Sequence, residues 1–152
     1  MVKDKKIILQ DVQFVNIIED ILANEKVQEM KKYRQHHQIS CFDHCLFVSY
    51  NAYIICKKHN LDYISTARAA MVHDLFLYDW RKRENGRKGL HAYTHPHRAY
   101  EIASSFLELN KKEKDIILKH MWPVTFKIPR YKESFIVSFI DKYFAVEEAF
   151  IL

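Results

Sequence analysis

The chain has 152 residues, 49% of them hydrophobic and 28% charged, with a net charge of +5 and a pI of about 9.0. That length can build one core without disulfide staples, and no run reaches the roughly eighteen apolar residues of a membrane span. Its two glycines, Gly86 and Gly89, exclude both a dinucleotide-binding GxGxxG loop and a phosphate-cradling P-loop, which need several glycines at fixed offsets.

Residues 1–10 are lysine-rich with only a short Ile7-Ile8-Leu9 patch, so no secretory signal is expected there and the protein is expected in the cytoplasm. Helical spacing recurs while two-residue alternation does not, which makes the expected class all-α, with about six to seven helices. A first helix is expected over about 11–23 from an Asp11 cap, with Phe14, Val15, Ile18, Ile21 and Leu22 on one face. Asn24 caps a second, reaching about Tyr33. The third should run over about 43–58, with His44 on the stripe of Val48, Ala52 and Ile55. Asp62 or Ser65 caps the fourth, which carries the run from Ala69 to Leu75. A charged loop over about 79–90 follows. Thr94 and Pro96 have the chemistry of a helix start, so a fifth helix is expected over 96–109, and Asn110 caps a sixth that ends at His120 and Met121. The last, over about 132–150, is apolar on most sides and is expected to be the most buried.

Cys41, Cys45 and Cys56 form an odd set without CxxC spacing, which argues against disulfides or a zinc knot and reads as buried small hydrophobes. His73 and Asp74 lie in Ala-Ala-Met-Val-His-Asp-Leu-Phe-Leu, where an ionised carboxylate is costly unless paired or bound to a cation. Successive helix positions diverge by about 100°, so the pair can approach one metal from two directions. A bond between the two, or to Arg68, would satisfy the same burial. Asp141 repeats the problem inside Phe-Ile-Val-Ser-Phe-Ile-Asp-Lys-Tyr-Phe, and His44 and His120 sit on apolar faces. Singly, each histidine reads as a core residue with a local partner. Together they would need many separate partners, whereas two divalent cations satisfy them all. Of three histidines in Leu-His-Ala-Tyr-Thr-His-Pro-His, His95 before Pro96 is the expected ligand, His91 an acid-base or supporting group, and His97 a surface residue.

The order of His44, His73-Asp74, a histidine before a proline, His120 and Asp141 resembles the HD superfamily of metal-dependent phosphohydrolases over about 43–146. It resembles the members with six ligands, such as the HD-GYP phosphodiesterases and myo-inositol oxygenase, and more closely the short HD proteins of Gram-positive bacteria. The resemblance implies a single HD domain over 1–152, with the helices of 1–35 packed on it. It makes His44 and His73 ligands, Asp74 the bridging carboxylate, His95 and His120 ligands of a second metal, and Asp141 the closing ligand. Two departures stand out. Leu75-Phe76-Leu77 replaces the Ile-Gly-Lys that follows the pair in many members, so another residue must meet the phosphate; Met121 replaces a second consecutive histidine, which argues against cyclic dinucleotide cleavage.

The expected activity is hydrolysis of a phosphate ester, a small phosphomonoester or nucleotide, by a hydroxide bridging two divalent metals drawn from iron, manganese, zinc, cobalt and nickel. Asp74 and His91 are the expected catalytic residues, His91 as proton donor. Arg81 and Lys82, in a cluster with Arg83, Arg87 and Lys88, and Lys119, Arg130 and Lys132 are candidate phosphate contacts. The alternatives are a di-iron oxygenase and a non-catalytic nucleotide-binding regulator. No membrane partner and no nucleic acid is expected, and Trp80, Trp122 and Tyr131 are candidate anchors of a homodimer.

Overall fold

Eight α-helices and one two-stranded hairpin make up the computed structural model, which describes residues 1–36, 38–79 and 90–150. The all-α class holds. The helices are α1 (Lys5–Gln10), α2 (Val12–Leu22), α3 (Glu25–Glu29), α4 (Cys41–Lys58), α5 (Tyr63–Met71), α6 (His91–Ser104), α7 (Lys111–Lys119) and α8 (Lys132–Phe150). Trp80 and the basic cluster from Arg81 to Lys88 fall outside the described residues, so the expected phosphate contacts Arg81 and Lys82 do too.

Helix α4 is the core of the bundle, because Cys-Phe-Asp-His-Cys-Leu-Phe-Val-Ser-Tyr is apolar nearly all round and must be covered on every side. Ser40 opens it by accepting from the Asp43 amide at 3.0 Å. Asn60, at φ 56, closes it: Leu61 N bonds Cys56 O and Asn60 N bonds Lys57 O, which satisfies carbonyls that the helix end leaves free. Helices α5 and α8 pack along α4, α7 lies on α5 and α8, and α2 lies on α5. Its buried polar groups are answered by the chain around it. Ser49 donates to Ala67 O at 2.6 Å, and Asn51 exchanges bonds of 2.8 Å with both backbone groups of Val2.

Several expectations need correction. An extra helix, α1, precedes the first expected one, since Asp4 caps the amides of Lys6 and Ile7. Arg34–His36 and Ile39–Ser40 pair as an antiparallel hairpin, with Arg34 opposite Ser40, where no strand was expected; segments this short leave no alternation to read. The fourth helix ends at Met71. Val72 N and His73 N reach back three residues, to Ala69 O and Ala70 O, and the chain tightens into turns, so His73 and Asp74 lie beyond the helix. Residues 71–76 are buried whether helical or not, and an apolar run alone does not mark that end. Asp62, not Ser65, is the cap of α5.

The fifth helix starts at His91 and stops at Ser104, earlier at both ends than expected. Pro96 is inside it, and Thr94 donates its hydroxyl to Leu90 O instead of capping. Helix α8 is not the most buried element. Val137, Ile140 and Phe144 face the core, but α4 and α7 cover only one side and leave Phe139, Tyr143, Val146 and Phe150 exposed. Trp122 is half-buried, edge-on against Phe135, and Tyr131 is half-buried beneath Lys112.

Two devices orient the elements that carry histidines. Asn110 and Glu113 form a reciprocal capping box at the start of α7. Asp115 on α7 accepts from Arg130 N at 2.9 Å and from Ser134 Oγ at 2.6 Å, which ties α7 to the start of α8. Asn110 also donates to Ser65 Oγ at 2.9 Å. Replacing Asn110 with alanine should cost about 1–2 kcal/mol of stability, read as a lower urea midpoint with an unchanged denaturant slope. A midpoint equal to the parent's would show that the box does not hold α7.

Candidate metal centre

Five segments bring their polar groups to one buried place. His44 comes from the second turn of α4, His73 and Asp74 from the turn after α5, His95 from α6, His120 from the end of α7 and Asp141 from the middle of α8. All six are buried, Asp74 at 2% and His44, His73 and His120 at 0% exposure. They form two groups that share Asp74: His44, His73, Asp74 and Asp141, and Asp74, His95 and His120, with the candidate ligand atoms of each group within 4.8 Å of one another.

The carboxylate of Asp74 divides between them. Its Oδ2 lies 3.7 Å from His44 Nε2 and 3.4 Å from His73 Nε2, while Oδ1 lies 3.2 Å from each of His95 Nε2 and His120 Nε2. Asp141 Oδ1 stands 2.8 Å from His44 Nε2 and 3.1 Å from His73 Nε2. Arg68 takes no part. It is held by Asp20 in a two-pronged pair at 2.7 and 2.8 Å and by Ile17 O, so that candidate partner of Asp74 is occupied elsewhere.

The other ring nitrogen of each histidine decides its tautomer. Nδ1 meets Ala70 O at 2.6 Å in His73, His91 O at 2.5 Å in His95 and Ile117 O at 2.7 Å in His120. In His44 it meets both oxygens of Glu148, at 3.1 and 3.0 Å. Carbonyls and carboxylates only accept, so every Nδ1 carries a proton, and it is Nε2 of each ring that is left to face inward, as a lone pair when a cation is bound. His95 Nε2 and His120 Nε2 approach to 2.9 Å, and two lone pairs at that distance repel unless a proton or a cation is between them. Asp74 Oδ1, buried beside them, has no hydrogen-bond partner among the described residues. The donor set of imidazole and carboxylate suits a divalent transition metal on both sides of Asp74.

Without a cation the buried carboxylates draw protons onto the facing rings instead. Burial alone would push His44 and His73 down, yet Asp141 and Glu148 around His44, and Asp74 and Asp141 around His73, hold both well above the usual imidazole value. Burial would raise Asp74 and Asp141, but the facing histidines keep both well below the carboxylate range. His120 is lowered to about 4, chiefly by burial.

A cavity of about 260 Å³ opens onto Asp74, Asp141 and His95, with His91, Gln35 and Lys142 at its edge and Met121, Val124 and Ala145 as apolar wall. His91 is half-buried, outside both groups, stacked on His95 at 4.2 Å with its Nδ1 2.8 Å from Tyr78 Oη. His97 is exposed near Lys127, away from the cluster. Lys119, Arg130 and Lys132 are not among the residues that line the cavity, and Lys119 is paired with Asp115 at 2.7 Å. The three cysteines are free and buried as read, Cys45 with its sulfur 3.8 Å from His73 Nδ1. Sequence reasoning missed four residues: Glu148, Gln35, whose amide donates to Asp74 Oδ2 at 2.9 Å, Tyr78, and Lys142, which bonds His120 O and stands 3.4 Å from Asp141. Glu148 had a weak signal, since it falls seven residues after Asp141 on the same helical face.

A raised folded-state pKa contributes stability below the unfolded value, near 6.5, and loses it as pH rises through the folded value. The chelator-treated protein should therefore lose stability on going from about pH 6.5 upward, as His44 and His73 give up their protons beside Asp74 and Asp141. Lowered pKa values act at the other end: the contributions of Asp74, Asp141 and His120 fade as pH falls. Chemical denaturation across pH 6 to 9, with and without a divalent metal, measures this. Flat stability in the chelator-treated protein would contradict the charge arrangement.

No curated protein matches the chain, and no solved structure does. A family model for the HD domain matches residues 41–146. That stretch runs from the first residue of α4 into α8 and contains all six clustered side chains, with the histidine-aspartate pair in the turn where the two groups join. On that match the chain belongs to the HD domain family, within the HD superfamily of metal-dependent phosphohydrolases.

Proposed function

We propose that the protein hydrolyses a phosphate ester, a small phosphomonoester or nucleotide, at a centre holding two divalent cations. The observation that carries this reading is the set of four imidazoles whose Nδ1 atoms are held outward while their Nε2 atoms face two buried carboxylates. His44, His73 and Asp141 would hold one cation, His95 and His120 the other, and Asp74 both. When bound, such cations supply positive charge that lets water ionise near neutral pH and that offsets charge on phosphate oxygens.

The chain's own groups do the rest. The Tyr78 hydroxyl bonded to His91 Nδ1 fixes the ring at the cavity edge, so its Nε2 is the group placed to protonate a leaving oxygen. Lys142, with its ammonium already beside Asp141, is the cationic side chain among the described lining residues and would serve where many members of the superfamily have a lysine after the pair. Gln35 holds Asp74 Oδ2 in its orientation. The apolar wall of Met121, Val124 and Ala145 suits the uncharged body of a small ester, and a cavity of about 260 Å³ excludes a long polymer from full enclosure.

Metal analysis of the purified protein with a phosphate-release screen over phosphomonoesters and nucleotides tests the reading. Turnover should appear with redox-inert manganese or zinc. Asp74→Ala should remove both metal and turnover, and His91→Ala should lower kcat by about 10²- to 10⁴-fold with metal content intact. Substrate-dependent oxygen uptake by the iron-loaded protein, without phosphate release, would replace the hydrolase with an oxygenase. Nucleotide recovered bound and uncleaved would make it a regulator.

A further inference from the structure

The four inward-facing imidazoles differ in what stands behind them. In His73, His95 and His120 the outer nitrogen is bonded to a neutral backbone carbonyl. In His44 it is bonded to a carboxylate, with both Glu148 oxygens within 3.1 Å. Glu148 is wholly buried, two turns beyond Asp141 on α8, and does not line the cavity. Its hydrogen-bonded contact with the centre runs through the His44 ring.

A full negative charge in a poorly screening interior is a stronger acceptor than a carbonyl dipole, and an imidazole whose N–H is held by a carboxylate is a better donor through its other nitrogen. The formal charges around the two groups are therefore unequal. The His44, His73 and Asp141 side has Asp141, a share of Asp74, and Glu148 behind it. Among the described residues the His95 and His120 side has its share of Asp74, and the Lys142 ammonium, 3.4 Å from Asp141 and bonded to His120 O, stands between the two sides and leaves the excess of negative charge with the first.

We propose that Glu148 is a positioning residue that makes the two cation positions unequal. Acting through His44, it makes the position between His44, His73 and Asp141 the tighter one, filled first, and leaves the position between Asp74, His95 and His120 weaker and exchangeable. This rests on the metal-binding reading above. A simpler role exists for the same contact, a strap between the end of α8 and the start of α4. A strap survives in Glu148→Gln, whose amide oxygen still accepts from His44 Nδ1, so a strap alone predicts an unchanged first step in that variant, which separates the two roles.

The test is a titration of chelator-treated protein with zinc or cobalt(II), in wild type, Glu148→Gln and Glu148→Ala. Wild type should load in two resolved steps. In both variants the first step should weaken by about 10- to 100-fold while the second keeps its affinity, and the glutamine, which can still accept from Nδ1, should sit at the mild end. Ring ¹⁵N signals of the wild type give a readout free of any variant: one equivalent of zinc should shift His44 and His73 before His95 and His120. Steps that are unchanged or weakened together in Glu148→Gln, or the reverse order of ring shifts, would overturn the proposal. Wild-type protein that takes up no divalent ion would overturn the metal reading itself, and this proposal with it.

Discussion

A carboxylate at 2% exposure, with two imidazole nitrogens facing each of its oxygens, is the constraint on which this fold is organised. Asp74 cannot be left ionised in that place without positive charge around it, and the interior offers none from Arg68, which Asp20 holds. The consequences reach every helix around it. α4, α6, α7 and α8 each present one polar side chain to the same point, and each does so from a surface otherwise committed to the core.

The backbone sets the rings by a repeated device. The last carbonyls of an α-helix have no partner within it. Ala70 near the end of α5 and Ile117 near the end of α7 each receive the Nδ1 proton of a histidine three residues later, just past the helix. The bond adds a partner at the helix-end carbonyl and directs the opposite nitrogen inward. His95 achieves the same from within α6 by reaching back four residues to His91 O. His44 lies early in α4, and the last turns of α8 supply Glu148 for it instead.

The site is held at two levels of rigidity. Its ligating atoms rest on helices locked to one another through Asp115, the Asn110 and Glu113 box and the core around α4. The cavity edge is built from lighter elements: the hairpin that carries Gln35, the turn that carries Tyr78, and the residues after α7 that include Met121 and Val124. This is the usual division between a scaffold that fixes the reacting atoms and connecting segments that shape what reaches them.

The sequence by itself determined the helical class, most of the helix order, and the six clustered residues: five because a histidine or aspartate inside an apolar run announces a burial cost that something must offset, and His95 by its place before Pro96. The resemblance to the HD superfamily then supplied their shared purpose. His44, His120 and Asp141 stood out because Val48, Ile116, Ile117, Val137 and Phe144 surround them at helical spacing. Tertiary structure alone decided where α5 ends, since burial continues through His73 and Asp74 whether or not the helix does. It placed Pro96 inside α6, brought Gln35 to Asp74 across 39 residues and Glu148 to His44 across 104. Helical spacing puts Glu148, not Glu147, on the face of Asp141, but the fold decides that Glu147 pairs with Lys3 near the surface and that Glu148 is fully buried. Local pattern encodes which groups leave water; which distant group meets them depends on how helices pack, and that is a property of the whole fold.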